Sequence, residues 1–171
     1  MNAYLVRFKT QNSENNLEFP EAIQSVIKKA QHQTDHVLNL DESWCGIHFV
    51  MTDEYPITKT EAQQRGISWD DDSLENIIMG GSPTPYKTSF GAARYLNPQQ
   101  VERMAEKLEH LTVDKFKEWY NPEVLMSENM PPLNWDKGNT MRDWLVGYFK
   151  KLVEFYKAAA SAGESILIYI A

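Results

Sequence analysis

The strongest constraint on this fold lies in the last third of the chain. Met141, Trp144, Leu145, Tyr148, Phe149, Leu152, Phe155, Tyr156 and Ala159 recur at helical spacing and fall on one broad apolar face. A stripe that wide must lie against a sheet or against several helices, so a long helix is predicted near 139–162. Gly163 suits its C-terminal stop. Ile166 to Ile170 then form an apolar run without alternation, and a strand with no polar side is buried on both faces, which places 165–171 centrally in a sheet.

The run Ser89–Leu108 is the best-punctuated stretch. Phe90 to Leu96 is aromatic and apolar, consistent with a strand over 89–96, and Asn97-Pro98 supplies an N-cap and a first-turn proline. Gln100 is placed to close a capping box with Asn97, and Leu96 to pack on Val101 as a hydrophobic staple. Val101, Met104, Ala105, Leu108 and Leu111 make the buried stripe of the helix that follows, with Glu102, Arg103, Glu106 and Glu109 on its wet side.

Near the N-terminus, Tyr4, Val6 and Phe8 alternate with Leu5 and Arg7 as in a half-buried strand over 4–9. Gln11–Asn16 is polar and turn-like. Phe19, Ile23, Val26, Ile27 and Ala30 then make a helix behind Pro20, and whether it continues past His32 to Leu38 is open. Leu40–Thr52 fits a helix or a strand by spacing. Asp41 as N-cap and Glu42 near the helix dipole favour helix, against the cost of Gly46. Residues 53–72 read as a polar surface excursion with a turn near Glu61–Gln64. Leu74, Ile77 and Ile78 read as a short helix or turn stopped by Gly80-Gly81, and Ser82–Pro85 as a loop. Thr112 and Asn121-Pro122 start two further short helices, and Trp135 anchors the extended Met130-Pro131-Pro132 segment. Strands and helices without a regular βαβ rhythm indicate an α+β fold in which a small, mainly antiparallel or mixed sheet packs against several helices.

At 171 residues a single domain, 1–171, can bury roughly 70% of its unfolded surface without metal or disulfide staples. The 17 basic against 24 acidic residues give −7, which repels phosphate backbones and excludes general nucleic-acid binding. The lone Cys45 fits a reducing cytosol. No apolar run approaches the roughly 20 residues of a membrane span, so no membrane insertion is expected.

LDESWCGIHFVMT, the Gly80-Gly81 pair, FGAARYLNPQQVERMAEKL and the terminal AGESILIYIA together resemble the YfbM-like family of bacterial proteins, over about Leu40 to Ala171. The resemblance implies a compact α+β fold in the bacterial cytoplasm and, because that family is a domain of unknown function, no catalytic residues. The family's Trp, Leu-His, Leu-Thr-Gly pattern is met by Trp44, Ile47-His48 and Met51-Thr52, with Asp53 in place of the usual glycine.

No recognised catalytic or metal motif is present. His32 and His36 share HQTDH spacing, but Gln33 stands where a metalloprotease needs glutamate. Asp70-Asp71-Asp72 lacks the spaced ligands of a calcium loop and reads as solvated charge that caps the next helix. Ser25-x-x-Lys28 has no S-D-N partner. Gly80-Gly81 is not a phosphate loop, and no cofactor is implied. Four residues remain as low-specificity binding candidates. Trp44 and His48 lie four apart on an apolar segment, where a core histidine bonded to backbone is the plain alternative. Arg94 and Tyr95 lie in an apolar strand, where Arg94 must either pair with a carboxylate or meet an anion. The net acidity, small size and lack of a convergent catalytic set suggest a non-catalytic module for a protein partner, such as an immunity- or antitoxin-like neutraliser. The alternative is a small hydrolase or ligand-binding enzyme with a pocket near His48 and Arg94.

Overall fold

The computed structural model describes residues 1–10, 17–33 and 35–171; the turn expected at 11–16 and Thr34 lie outside the described residues. The described residues form an α+β fold, a five-stranded sheet with helices packed on it. The strands are β1 (Ala3–Phe8), β2 (Val37–Asn39), β3 (Ser82–Thr88), β4 (Gly91–Leu96) and β5 (Ser165–Ile170). Their spatial order is β2-β1-β5-β4-β3, and every neighbouring pair is antiparallel. β5 is central, as its unbroken apolar run requires, and Ile166, Leu167 and Ile168 are fully buried.

The helices are α1 (Pro20–Gln31), α2 (Ser43–Thr52), α3 (Lys59–Gln64), α4 (Pro98–His110), α5 (Val113–Trp119), α6 (Pro122–Ser127) and α7 (Asn139–Ser161), with 3-10 turns at Leu74–Ile77 and Trp135–Lys137. The larger core gathers Ala3, Leu5, Leu96, Ile166, Ile168 and Ile170 from one sheet face with residues of α2 and α4 to α7. The smaller gathers Val6, Phe8, Ala93 and Leu167 from the other face with Ile23, Val26 and Ala30 of α1. Because α1 covers that second face, β1 is buried on both sides rather than half-buried.

Several local expectations change. α1 stops at Gln31, and β2 takes Val37 and Leu38 into the sheet beside β1. Asp41 does not cap α2: it has a left-handed backbone (φ 52), its N–H donates to Asn39 Oδ1 at 2.8 Å, and Glu42 occupies the cap without a side-chain bond. Residues 82–85 are the start of edge strand β3, not a loop. Pro83 and Pro85 lack the amide a central strand must donate, and an edge tolerates that loss, here with a shifted register between Pro83 and Lys87. Ser89-Phe90 is the turn closing this hairpin, so β4 begins at Gly91.

Other sequence signals appear directly. Asn97 and Gln100 form a reciprocal capping box on α4, at 2.9 Å each way. Thr112 and Asn121 cap α5 and α6, and Gly163 takes φ +63 after α7. Trp135 is fully buried and its indole N–H donates to Met130 O at 2.7 Å. Gly46 is required, since a Cβ there would lie 2.5 Å from the Trp135 ring.

Candidate functional site

A groove runs between α4 and α7, closed at one end by the start of α5, with a cavity volume of about 560 Å³. Its floor is Ala105, Leu111, Val113, Phe149, Val153 and Ala160. Phe149 is held in the core and stacks on Phe116 at 4.1 Å. The rim carries Glu102, Glu106, Glu109 and Glu154 against Lys150 and Lys157. Glu102, Glu106 and Glu109 recur at i, i+4 and i+7, so one wall is uniformly acidic over roughly 10 Å of helix. The α7 wall alternates lysine, glutamate, lysine, so carboxylates outnumber ammonium groups four to two. Sequence periodicity placed the glutamates on the wet side of α4 but could not show which helix faces them.

The four residues singled out from sequence do not converge. Trp44 and His48 follow each other on α2 and are 2% and 1% exposed. Trp44 donates its indole N–H to Met1 O at 3.1 Å and meets Phe90 edge-on. His48 Nδ1 has no hydrogen-bond partner, and burial pulls the imidazole down to about 4, so the ring is neutral at pH 7.

Arg94 and Tyr95 alternate on β4 and therefore point to opposite sheet faces. Tyr95 packs against the smaller core with α1. Arg94, 4% exposed, turns into the larger one and donates to Ile78 O at 3.0 Å, Gly80 O at 3.2 Å and Ala92 O at 3.5 Å. No carboxylate among the described residues pairs with it; carbonyls take the place of the expected ion pair. Burial pulls its guanidinium down to about 10, with Glu61 and Tyr156 opposing the shift, and it remains charged at neutral pH. Tyr156 extends the same clamp, donating to Ile77 O at 2.7 Å. The clamp holds the segment before Gly81, where an added Cβ at Gly80 would lie 2.5 Å from the Asn76 Cα.

Burial also pushes the Cys45 thiol up to about 12, so it is not a thiolate nucleophile at neutral pH. His32 is the C-cap after α1, and His36 precedes β2 with Nδ1 3.1 Å from Arg7 O, so the two do not share a helical face. Asp71 and Asp72 pair with Lys59 and Lys107, and the short turn after them starts at Ser73 without a side-chain cap. Among the described residues no three potential ligands cluster for a metal ion.

The family model for a domain of unknown function, DUF1877, matches residues 1–169. The chain belongs to that family. A DUF1877 fold is thus the frame of the groove and of the Arg94 clamp. Among solved structures, the chain is similar to YfbM from Escherichia coli, a protein of unknown function, at 16% identity, with all of both chains covered and a TM-score of 0.73. That likeness is one of fold. No curated protein matches the chain. Asp53, at the C-cap of α2, takes a positive φ (56°), a left-handed conformation that glycine adopts without strain. No helix among the described residues is long and apolar enough to cross a membrane.

Proposed function

We propose that this DUF1877 chain acts as one domain, 1–171, and is a non-catalytic binding module that seats a cationic amphipathic helix of a protein partner between α4 and α7. The observation that carries the reading is the pairing of a continuous apolar floor with an acidic wall at helical spacing. An apolar stripe lying on Val153 and Ala105 would gain about 1.5–3 kcal/mol for each large side chain buried. The exposed carboxylates would add orientation and association rate more than affinity. The net charge of −7 acts in the same sense over the whole surface. An immunity- or antitoxin-like neutraliser of a basic protein is one form such a module takes.

The test is a titration of the isotope-labelled protein with a model leucine-lysine amphipathic helix, alongside a helix of the same pattern with glutamate for lysine. Amides of residues 102–109 and 150–157 are expected to shift with the cationic helix, and affinity is expected to fall with salt. Replacing Glu102, Glu106 and Glu109 together by Gln should weaken binding at least about tenfold and leave the melting temperature in place. Equal binding of the acidic helix, or shifts elsewhere only, would overturn the reading.

The enzyme alternative near His48 and Arg94 draws support from one feature, the unpartnered Nδ1 of His48. None of the three described pockets is lined by Trp44, His48, Arg94 or Tyr95, and Arg94 spends its donors on carbonyls.

A further inference from the structure

A second pocket opens where α2 ends, with a volume of about 400 Å³. Phe49, Val50 and Met51 from the last turns of α2 form one wall, and Trp119, Val124 and Leu125 from α5 and α6 form the other. It shares no lining residue with the α4/α7 groove.

Three features give this pocket a chemical preference. The C-terminal end of a helix is its negative pole, and the last turn of α2 carries no basic residue of its own. At that end Asp53 lines the pocket, its carboxylate-bearing residue exposed and its backbone turned left-handed, so a full negative charge adds to the helix end. Trp119 is 42% exposed, and its indole carries the ammonium of Lys115 at 5.6 Å from the ring centroid, a flexible side chain that a ligand ammonium over that face would displace. The walls favour methylene or methyl groups, the mouth favours positive charge, and an anion would meet both Asp53 and the helix pole.

We propose that the pocket between α2, α5 and α6 binds an aliphatic ammonium group, either a free quaternary amine or the lysine side chain of a peptide. The methyl or methylene part fills the space against Val50, Met51 and Val124. The charge rests between Asp53 and the Trp119 ring.

The experiment titrates the full chain, followed by two-dimensional amide and indole spectra, with three probes at matched ionic strength: choline, its uncharged carbon isostere 3,3-dimethylbutanol, and N-acetyl-lysine methylamide. Choline or the lysine derivative is expected to shift the Trp119 indole and the amides of Asp53 and Val124, with the uncharged isostere about tenfold weaker. Tighter binding of choline identifies a free quaternary amine as the occupant, and tighter binding of the lysine derivative a peptide side chain. Asp53→Asn, which keeps the left-handed backbone accessible, should weaken the cation several-fold at unchanged melting temperature, and Trp119→Ala should remove binding. Equal affinity for the uncharged isostere, indifference to Asp53→Asn, or no response at Trp119 at tens of millimolar probe would overturn the proposal.

Discussion

Arg94 and His48 are both almost fully buried in the same core, at 4% and 1% exposure, yet the surrounding backbone treats them in opposite ways. Around Arg94 the chain between Ile77 and Gly80 leaves its carbonyls turned inward, and the guanidinium and the Tyr156 hydroxyl satisfy them. Around His48 nothing is offered to Nδ1. A buried cation survives where carbonyl dipoles replace water, whereas a group that can shed its proton becomes neutral where they do not. The first arrangement keeps the group charged at neutral pH despite its burial and pins a glycine-bounded segment. The second leaves the fold exposed to acid.

The largest expected effect comes from removing the clamp. Arg94→Ala takes the guanidinium donors away from the carbonyls of Ile78, Gly80 and Ala92 and leaves a cavity beneath β4, and should cost about 3–5 kcal/mol, read from the denaturant midpoint. A loss below about 1 kcal/mol would mean the carbonyls find other donors, and the contrast with His48 would dissolve.

Next comes acid. The folded pKa of His48 is lowered to about 4 from an unfolded value near 6.5, so its share of stability is complete above pH 6.5 and drains away as pH falls towards 4. The loss approaches about 3 kcal/mol at the lower end. Chemical denaturation at pH 7 and pH 4 measures it, and His48→Leu should flatten the slope between those values relative to the parent chain. Parallel slopes would show that His48 finds a partner.

Tyr156→Phe keeps the ring and orphans Ile77 O, for an expected loss of about 1–2 kcal/mol, roughly additive with nothing else in the clamp because the two donors brace one segment. A double-mutant cycle with Arg94→Lys would give the coupling directly. Smallest of all, Glu106→Gln on the exposed groove wall should change stability by less than about 0.5 kcal/mol, since nothing buried depends on it. Its effect belongs to binding of a cationic helix.

What was legible along the chain follows the reach of local physics. The capping box at Asn97 and Gln100, the N-caps Thr112 and Asn121, and the stop at Gly163 involve partners within a few residues, so spacing suffices to find them. The helices at 98–110 and 139–161 and the central strand at 165–170 announce themselves because each buries a continuous face. β3 was hidden because its prolines argue against a strand unless one knows that it lies at an edge. α2 was reachable only as a balance of signals, since every residue from Ser43 to Met51 is buried and no polar stripe betrays the period. The candidate residues Arg94 and Tyr95 are adjacent in sequence but divided by the sheet, a separation that strand alternation implies yet whose consequence depends on what covers each face.

The sequence by itself determined the α+β class, the central position of the last strand, the buried stripe of α7 and the acidic wall of α4, because periodicity and capping are properties of neighbours. Only the tertiary structure decided that the acidic wall faces α7 across an apolar floor, that α2 ends at a pocket beside Trp119, and that Arg94 is answered by carbonyls while His48 is not. Those outcomes depend on which distant segments arrive beside a side chain, and a group's charge state and access to a ligand are set by that company rather than by its place in the chain.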